Sequence, residues 1–166
     1  MEIKNILYNG FLAIREMEGL PFQTKHRMLW EMFSMNGENK DFWRVVGITE
    51  LAFNKIVDND YKLPTGNKDN KINRSHITDR IEVSRVMLEG HVMNMDTWWD
   101  FYLDNDKCVL ATATENTSNG TEVIKYKVPT GLFESKGYKA NIGPNEIEFL
   151  KQLNSVGEGP NDNGWT

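Results

Sequence analysis

His76 is the residue in this chain best placed to do chemistry. It lies in Asn73-Arg74-Ser75-His76-Ile77-Thr78-Asp79-Arg80, just ahead of a helical stretch and among charged and hydroxyl side chains. Imidazole is the side chain whose ordinary pKa lets it trade protons near neutrality. Arg74 and Arg80 flank it, and guanidinium groups grip phosphate in a two-pronged geometry. The ordinary alternatives are plain. A lone histidine before a helix commonly caps or hydrogen-bonds at the surface, and such arginines commonly bridge to nearby carboxylates, here Glu82 and Glu89. Farther along, Leu110-Ala111-Thr112-Ala113-Thr114-Glu115-Asn116 is a β-type run that ends abruptly in an acid and an amide.

Together the two stretches resemble the His–Asn–His (HNH, ββα-metal) endonuclease finger of phage and mobile-element type, over residues 73–120. His76 matches the family's general base, followed by an apolar residue and then by the basic Arg80. The apolar run 109–112 leading into Glu115 and Asn116 matches the strand before the family's last metal ligand, here Asn116, with Glu115 in support. Asn105 or Asp104 stands for the middle polar position. The resemblance implies a divalent metal such as Mg, held by Asn116 with Asp79 in place of the usual acidic neighbour of the base. It also implies nucleic acid as substrate, DNA before RNA, with Arg74, Arg80, Arg85 and Lys71 forming a local basic face. Ser75 stands where the family has an acid, no proline follows His76, and the spacing from His76 to Asn105 is longer than usual.

Composition sets bounds around this reading. At 166 residues, 39% of them hydrophobic and including five Trp and eight Phe, one packed domain is expected. A net charge of −5 argues against coating nucleic acid by electrostatics alone, but not against a local basic cleft. The single cysteine, Cys108, excludes an internal disulfide and a Cys-x-x-Cys zinc ribbon; in its apolar run it reads as a buried, inert thiol. No leader pattern and no apolar run of about 20 residues is present, so a protein of the host-cell cytoplasm is expected. P-loop and dinucleotide patterns are also missing.

The elements that would position these residues follow from periodicity. Helices are expected over 3–18, from an N-cap at Thr24 to about residue 36, and over 40–57, making residues 1–57 a helical subdomain. Residues 58–73 are turn formers with few apolar anchors and read as an exposed loop or linker. Thr78 is expected to cap a helix over 79–89 that stops at Gly90. Asp96 and Thr97 are expected to cap a second helix carrying Trp98 and Trp99, which read as core rather than base-stacking residues. Strands are expected over 107–112 and 122–128, and Pro144 opens a final helix. His26 and His91 read as a solvated face and a helix-end neighbour. The fold expected is α+β: the amino-terminal helical subdomain, a ββα-like finger within residues 74–156 that ends in a carboxy-terminal helix, and a tail over 157–166. The competing reading is a non-catalytic phage protein that binds a host protein, an anti-defence or regulatory factor, since eight Met and many aromatics suit an interaction surface.

Overall fold

The computed structural model describes residues 3–35, 44–64, 71–115, 124–133 and 140–156. Its elements run α1 (Ile3–Glu16), α2 (Phe22–Met35), β1 (Arg44–Thr49), α3 (Glu50–Asp58), β2 (Ile72–His76), α4 (Arg80–Glu89), α5 (Met95–Asn105), β3 (Lys107–Thr112), β4 (Ile124–Lys127) and α6 (Pro144–Val156). The α+β class is as expected. The strands form one sheet in the order β2-β3-β1-β4, with β1 parallel to β3 and the two outer pairs antiparallel.

Two cores meet along β3. In the first, α1 presents Leu7, Phe11 and Ile14 at helical spacing to Leu29, Trp30 and Phe33 of α2, Val83 and Met87 of α4, and Trp98 and Tyr102 of α5. In the second, Val45 and Ile48 of β1 pack with Ala52, Phe53 and Ile56 of α3, Tyr126 of β4, and Leu150 and Leu153 of α6. Strand β3 is buried along almost its whole length and serves both, with Cys108 in the first core and Leu110 in the second. Each fully buried large side chain contributes on the order of 1.5–3 kcal/mol.

Residues 1–57 therefore do not form a separate helical subdomain. Helices α1 and α2 join the core of α4 and α5, whereas β1 and α3 belong to the other. The helix expected over 40–57 is instead a strand followed by a shorter helix, residues 40–43 lying outside the described residues. Val45, Val46, Ile48 and Thr49 are β-branched, and that local preference outweighs the apolar spacing that suggested a helix. Thr49 ends the strand and caps α3, its hydroxyl accepting from the Ala52 amide at 3.2 Å.

Other boundaries move by a few residues. Asp79, not Thr78, caps α4, accepting from the Ile81 amide at 2.8 Å. Asn94, not Asp96 or Thr97, caps α5, because its side chain reaches the Thr97 amide at 2.9 Å. Thr24 lies inside the first turn of α2. Of the expected loop over 58–73, residues 65–70 lie outside the described residues and Ile72 already begins β2; the expected tail, 157–166, also lies outside them. The two expected strands, β3 and β4, do not pair with each other because β1 lies between them; β2, a strand not expected, pairs antiparallel with β3 on its other side, the two being joined through α4 and α5.

Gly47 marks a close approach between β1 and β4. A Cβ there would lie 2.6 Å from Cγ2 of Ile124, a β-branched side chain with little freedom to withdraw. Gly47→Val is expected to lower the unfolding free energy by about 1–3 kcal/mol. A second change, Ile124→Ala, should restore part of that loss in a denaturant titration. Equal destabilisation with and without the second change would contradict the close approach.

Candidate functional site

Strand β2 carries Arg74 and His76, and its pairing with β3 decides what they meet. Arg74 stands opposite Leu110 and His76 opposite Cys108, at the start of β3. Helix α5 ends at Asp106, immediately before β3, and so delivers a carboxylate to the same corner. Helix α4 begins three residues beyond Ile77 and adds Arg80. A histidine, two arginines, an aspartate, a thiol and a tyrosine thus converge where the helical core meets the sheet.

The imidazole is enclosed. Its side chain is 14% exposed, its Nδ1 lies 3.4 Å from Cys108 Sγ and 3.7 Å from Asp106 Oδ1, and the Trp30 ring is 6.1 Å away. Burial, then the fields of Arg80 and Arg74, pushes its pKa down to about 3. His76 is therefore neutral near pH 7, and its approach to Asp106 is a contact between imidazole and carboxylate rather than an ion pair. Asp106 is held by the Tyr102 hydroxyl, which donates to Oδ2 at 3.0 Å. Burial and that carboxylate in turn raise the phenol's pKa. Burial lowers the pKa of Arg74.

A Cys–His–Asp relay is not formed here. Such a relay needs one ring nitrogen for the thiol and the other for the carboxylate, but Nδ1 is the nearer nitrogen to both partners and Nε2 is 3.8 Å from the same sulfur. Cys108 is also fully buried, out of reach of a substrate. The thiol is buried as expected, although its imidazole neighbour was invisible in the sequence.

The remaining sequence-selected residues separate. Asp79 accepts from the helix it caps, on an exposed turn. Asn105 donates to its own helix at the Phe101 carbonyl, 2.8 Å away, and Asp104 pairs with Lys107 at 2.9 Å. Glu115 ties strand ends together: one carboxylate oxygen accepts from the Thr49 hydroxyl at 2.9 Å and from the Thr112 amide and hydroxyl, both at 2.8 Å. Asn116 lies outside the described residues. His76 pairs at residue 108 and Ile72 at residue 112, so His76 and the Thr112–Glu115 turn stand at opposite ends of the ladder, about 13 Å apart at about 3.3 Å per residue. Among the described residues no three of His, Cys, Asp and Glu gather as a metal-holding group. Of the two ligands the resemblance implies, Asp79 is engaged as a helix cap and Asn116 lies outside the described residues.

Lys71 and Arg85 are exposed, and Trp98 lies fully in the core as expected. His26 differs from its expected solvated role. Its Nδ1 is 2.8 Å from the buried Ser84 hydroxyl, and burial, then Arg80, lowers its pKa. Asp106 was missed in the sequence; its one signal is the four-residue spacing from Tyr102, which puts both on one helix face. No protein-family model, curated protein or solved structure matches this chain.

The neutral imidazole has a consequence for acid stability. The unfolded chain binds a proton at His76 below about pH 6.5, whereas the native chain does not until about pH 3. Its contribution is present above pH 6.5 and is lost at about 1.4 kcal/mol per pH unit as pH falls toward 3. Denaturant titrations of wild type and His76→Gln between pH 6 and pH 4 should show the wild type falling more steeply by that slope. Parallel lines would mean that His76 protonates freely in the native state.

Proposed function

We propose that this chain binds nucleic acid through the basic side of β2 and α4, and that it does not cleave phosphodiesters at His76. One observation carries the binding half. Arg85 is exposed on α4, and neither Glu82 nor Glu89 forms an ion pair among the described residues, so Arg85 is not neutralised by the acids of its own helix. Arg85 and Lys71 are exposed and available to phosphate, while Arg74 and Arg80 stand half-buried behind them. The burial and neutrality of His76, and its distance along the ladder from the Thr112–Glu115 turn, support the non-cleaving half. A general base needs access to a water poised beside the scissile phosphate and a pKa near the working pH; His76 has neither.

The host-protein reading is favoured by a different feature. Gly10, Ala13, Ile14, Met28 and Met32 line a groove between α1 and α2, with Arg27 and Glu31 also on its lining. Adaptable Met-rich grooves of this kind suit peptide or helix recognition.

Binding to a short duplex DNA in low salt, followed as salt is raised, tests the proposal together with a plasmid-nicking assay in Mg. About three phosphate contacts predict a slope of log affinity against log salt near −3, from about 0.9 per contact. Wild type and His76→Ala should both leave the plasmid intact. Metal-dependent nicking that disappears in His76→Ala would restore the endonuclease reading. Absence of DNA binding even at low salt would leave the host-protein reading in its place.

A further inference from the structure

Helices α1 and α2 form an antiparallel hairpin whose inner side fills the first core and whose outer side is apolar as well. Ile6, Gly10 and Ala13 of α1, with Met17 just past its end, follow one another at intervals of four, three and four residues, which sets them in one stripe. Ile6 is 45% exposed and Met17 37%, and Ala13 between them is exposed too. The stripe covers about 16 Å at about 1.5 Å per residue. On α2, half-buried Met28 and Met32 lie beside it, and a Cβ on Gly10 would overlap the Met32 sulfur. Arg27 and Glu31, both exposed and one helical turn apart, complete the lining of the groove.

The two helices share one midpoint. Gly10 lies beside Met32, and the Lys25 ammonium donates to the Arg15 carbonyl at 2.7 Å. The level of Leu29 on α2 therefore falls close to Leu12 on α1. Leu29 is midway between Arg27 and Glu31, and the level of Leu12 is close to midway both between Gly10 and Ala13 and between Ile6 and Met17. A two-fold axis that lies along the outer surface and crosses both helices at this level would lay a second hairpin, reversed, onto the first. Arg27 of each copy then faces Glu31 of the other, Ile6 faces Met17, and Gly10 faces Ala13. A parallel stack sets Arg27 against Arg27 and Glu31 against Glu31 instead. Charge and apolar spacing thus choose the same orientation.

We propose that this face is a self-association surface on which a second copy of the chain docks, hairpin on antiparallel hairpin, as a four-helix layer. Burial of the two apolar stripes supplies the attraction, and the ion pairs at its margin, each weak in water, set the register. The unbranched side chains of Met28 and Met32 adjust to the seam. The assignment is independent of nucleic-acid binding and gives the groove to a second copy in place of a host protein.

Sedimentation velocity of the full chain over a concentration series tests it with Arg27→Glu, with Glu31→Arg, and with an equimolar mixture of the two. Wild type should pass from monomer to dimer as concentration rises. Each variant alone opposes like charges at both pairs and should dimerise at least about tenfold more weakly. The mixture should recover the wild-type midpoint, because the acid introduced at position 27 of one chain meets the base introduced at position 31 of the other. Both variants should keep the wild-type circular dichroism, since the two side chains are exposed. A wild type that stays monomeric at every concentration overturns the proposal, as do variants that each dimerise like wild type. Weakened variants whose mixture does not recover overturn the antiparallel stack. Ala13→Glu, which sets a carboxylate on the seam, should remove the dimer altogether; a dimer that survives it lies elsewhere on the molecule.

Discussion

The carboxylate of Asp106, buried where α5 passes into β3, is the constraint on which the corner of the molecule depends. A charge in that position is tolerable only when other groups supply the hydrogen bonds and countercharge that water would have given. Tyr102 supplies a hydroxyl from the same helix, while Arg74 and Arg80 supply positive field from β2 and α4. The order of elements makes this convergence possible, because β2 and β3 are joined through α4 and α5 and the two helices must fold back over the strand pair. Truncating such a carboxylate is costly, since it leaves guanidinium groups buried against apolar walls.

That arrangement also sets the state of His76. An imidazole beside a carboxylate would ordinarily be expected to charge, yet loss of water, and then the fields of Arg80 and Arg74, hold its pKa down. The result is a neutral ring wedged between a thiol and an indole, serving as packing material with polar edges. The same competition leaves the Cys–His–Asp set at short distances with a buried thiol and a neutral imidazole.

On the outer side of α4 the physics reverses. Arg85 is exposed, and its guanidinium lies over the Phe22 ring of α2 rather than against a countercharge. A guanidinium over a ring retains its donors, so a cation held this way remains able to meet an anion from solution. The chain thus uses arginine in two ways: buried beside carboxylate and imidazole to knit the helical core to the sheet, and exposed on aromatic rings at the helix seam.

Local signals decided most of the elements. Helical spacing marked α1 and α2, Gly90 stopped α4, Pro144 opened α6, and alternation with β-branched residues marked β3 and β4. The sequence alone also determined that Cys108 and Trp98 would be core, since both lie in dense apolar runs. It misled over 40–57, where apolar residues fit helical spacing but β-branching and a sheet edge beside β3 chose a strand. The site was half legible. His76, Arg74 and Arg80 are close in sequence and meet in space, whereas Asp106 and Cys108 come from β3 and its approach, and Trp30 from a helix far upstream. Pairing register brought these together, and register depends on which faces are buried across the whole sheet. For the same reason the sequence could not say that His76 and Glu115 occupy opposite ends of one strand pair. The chain determined the chemistry each residue carries; the tertiary fold decided which residues share a site, because burial and register are properties of the packed molecule and not of any segment.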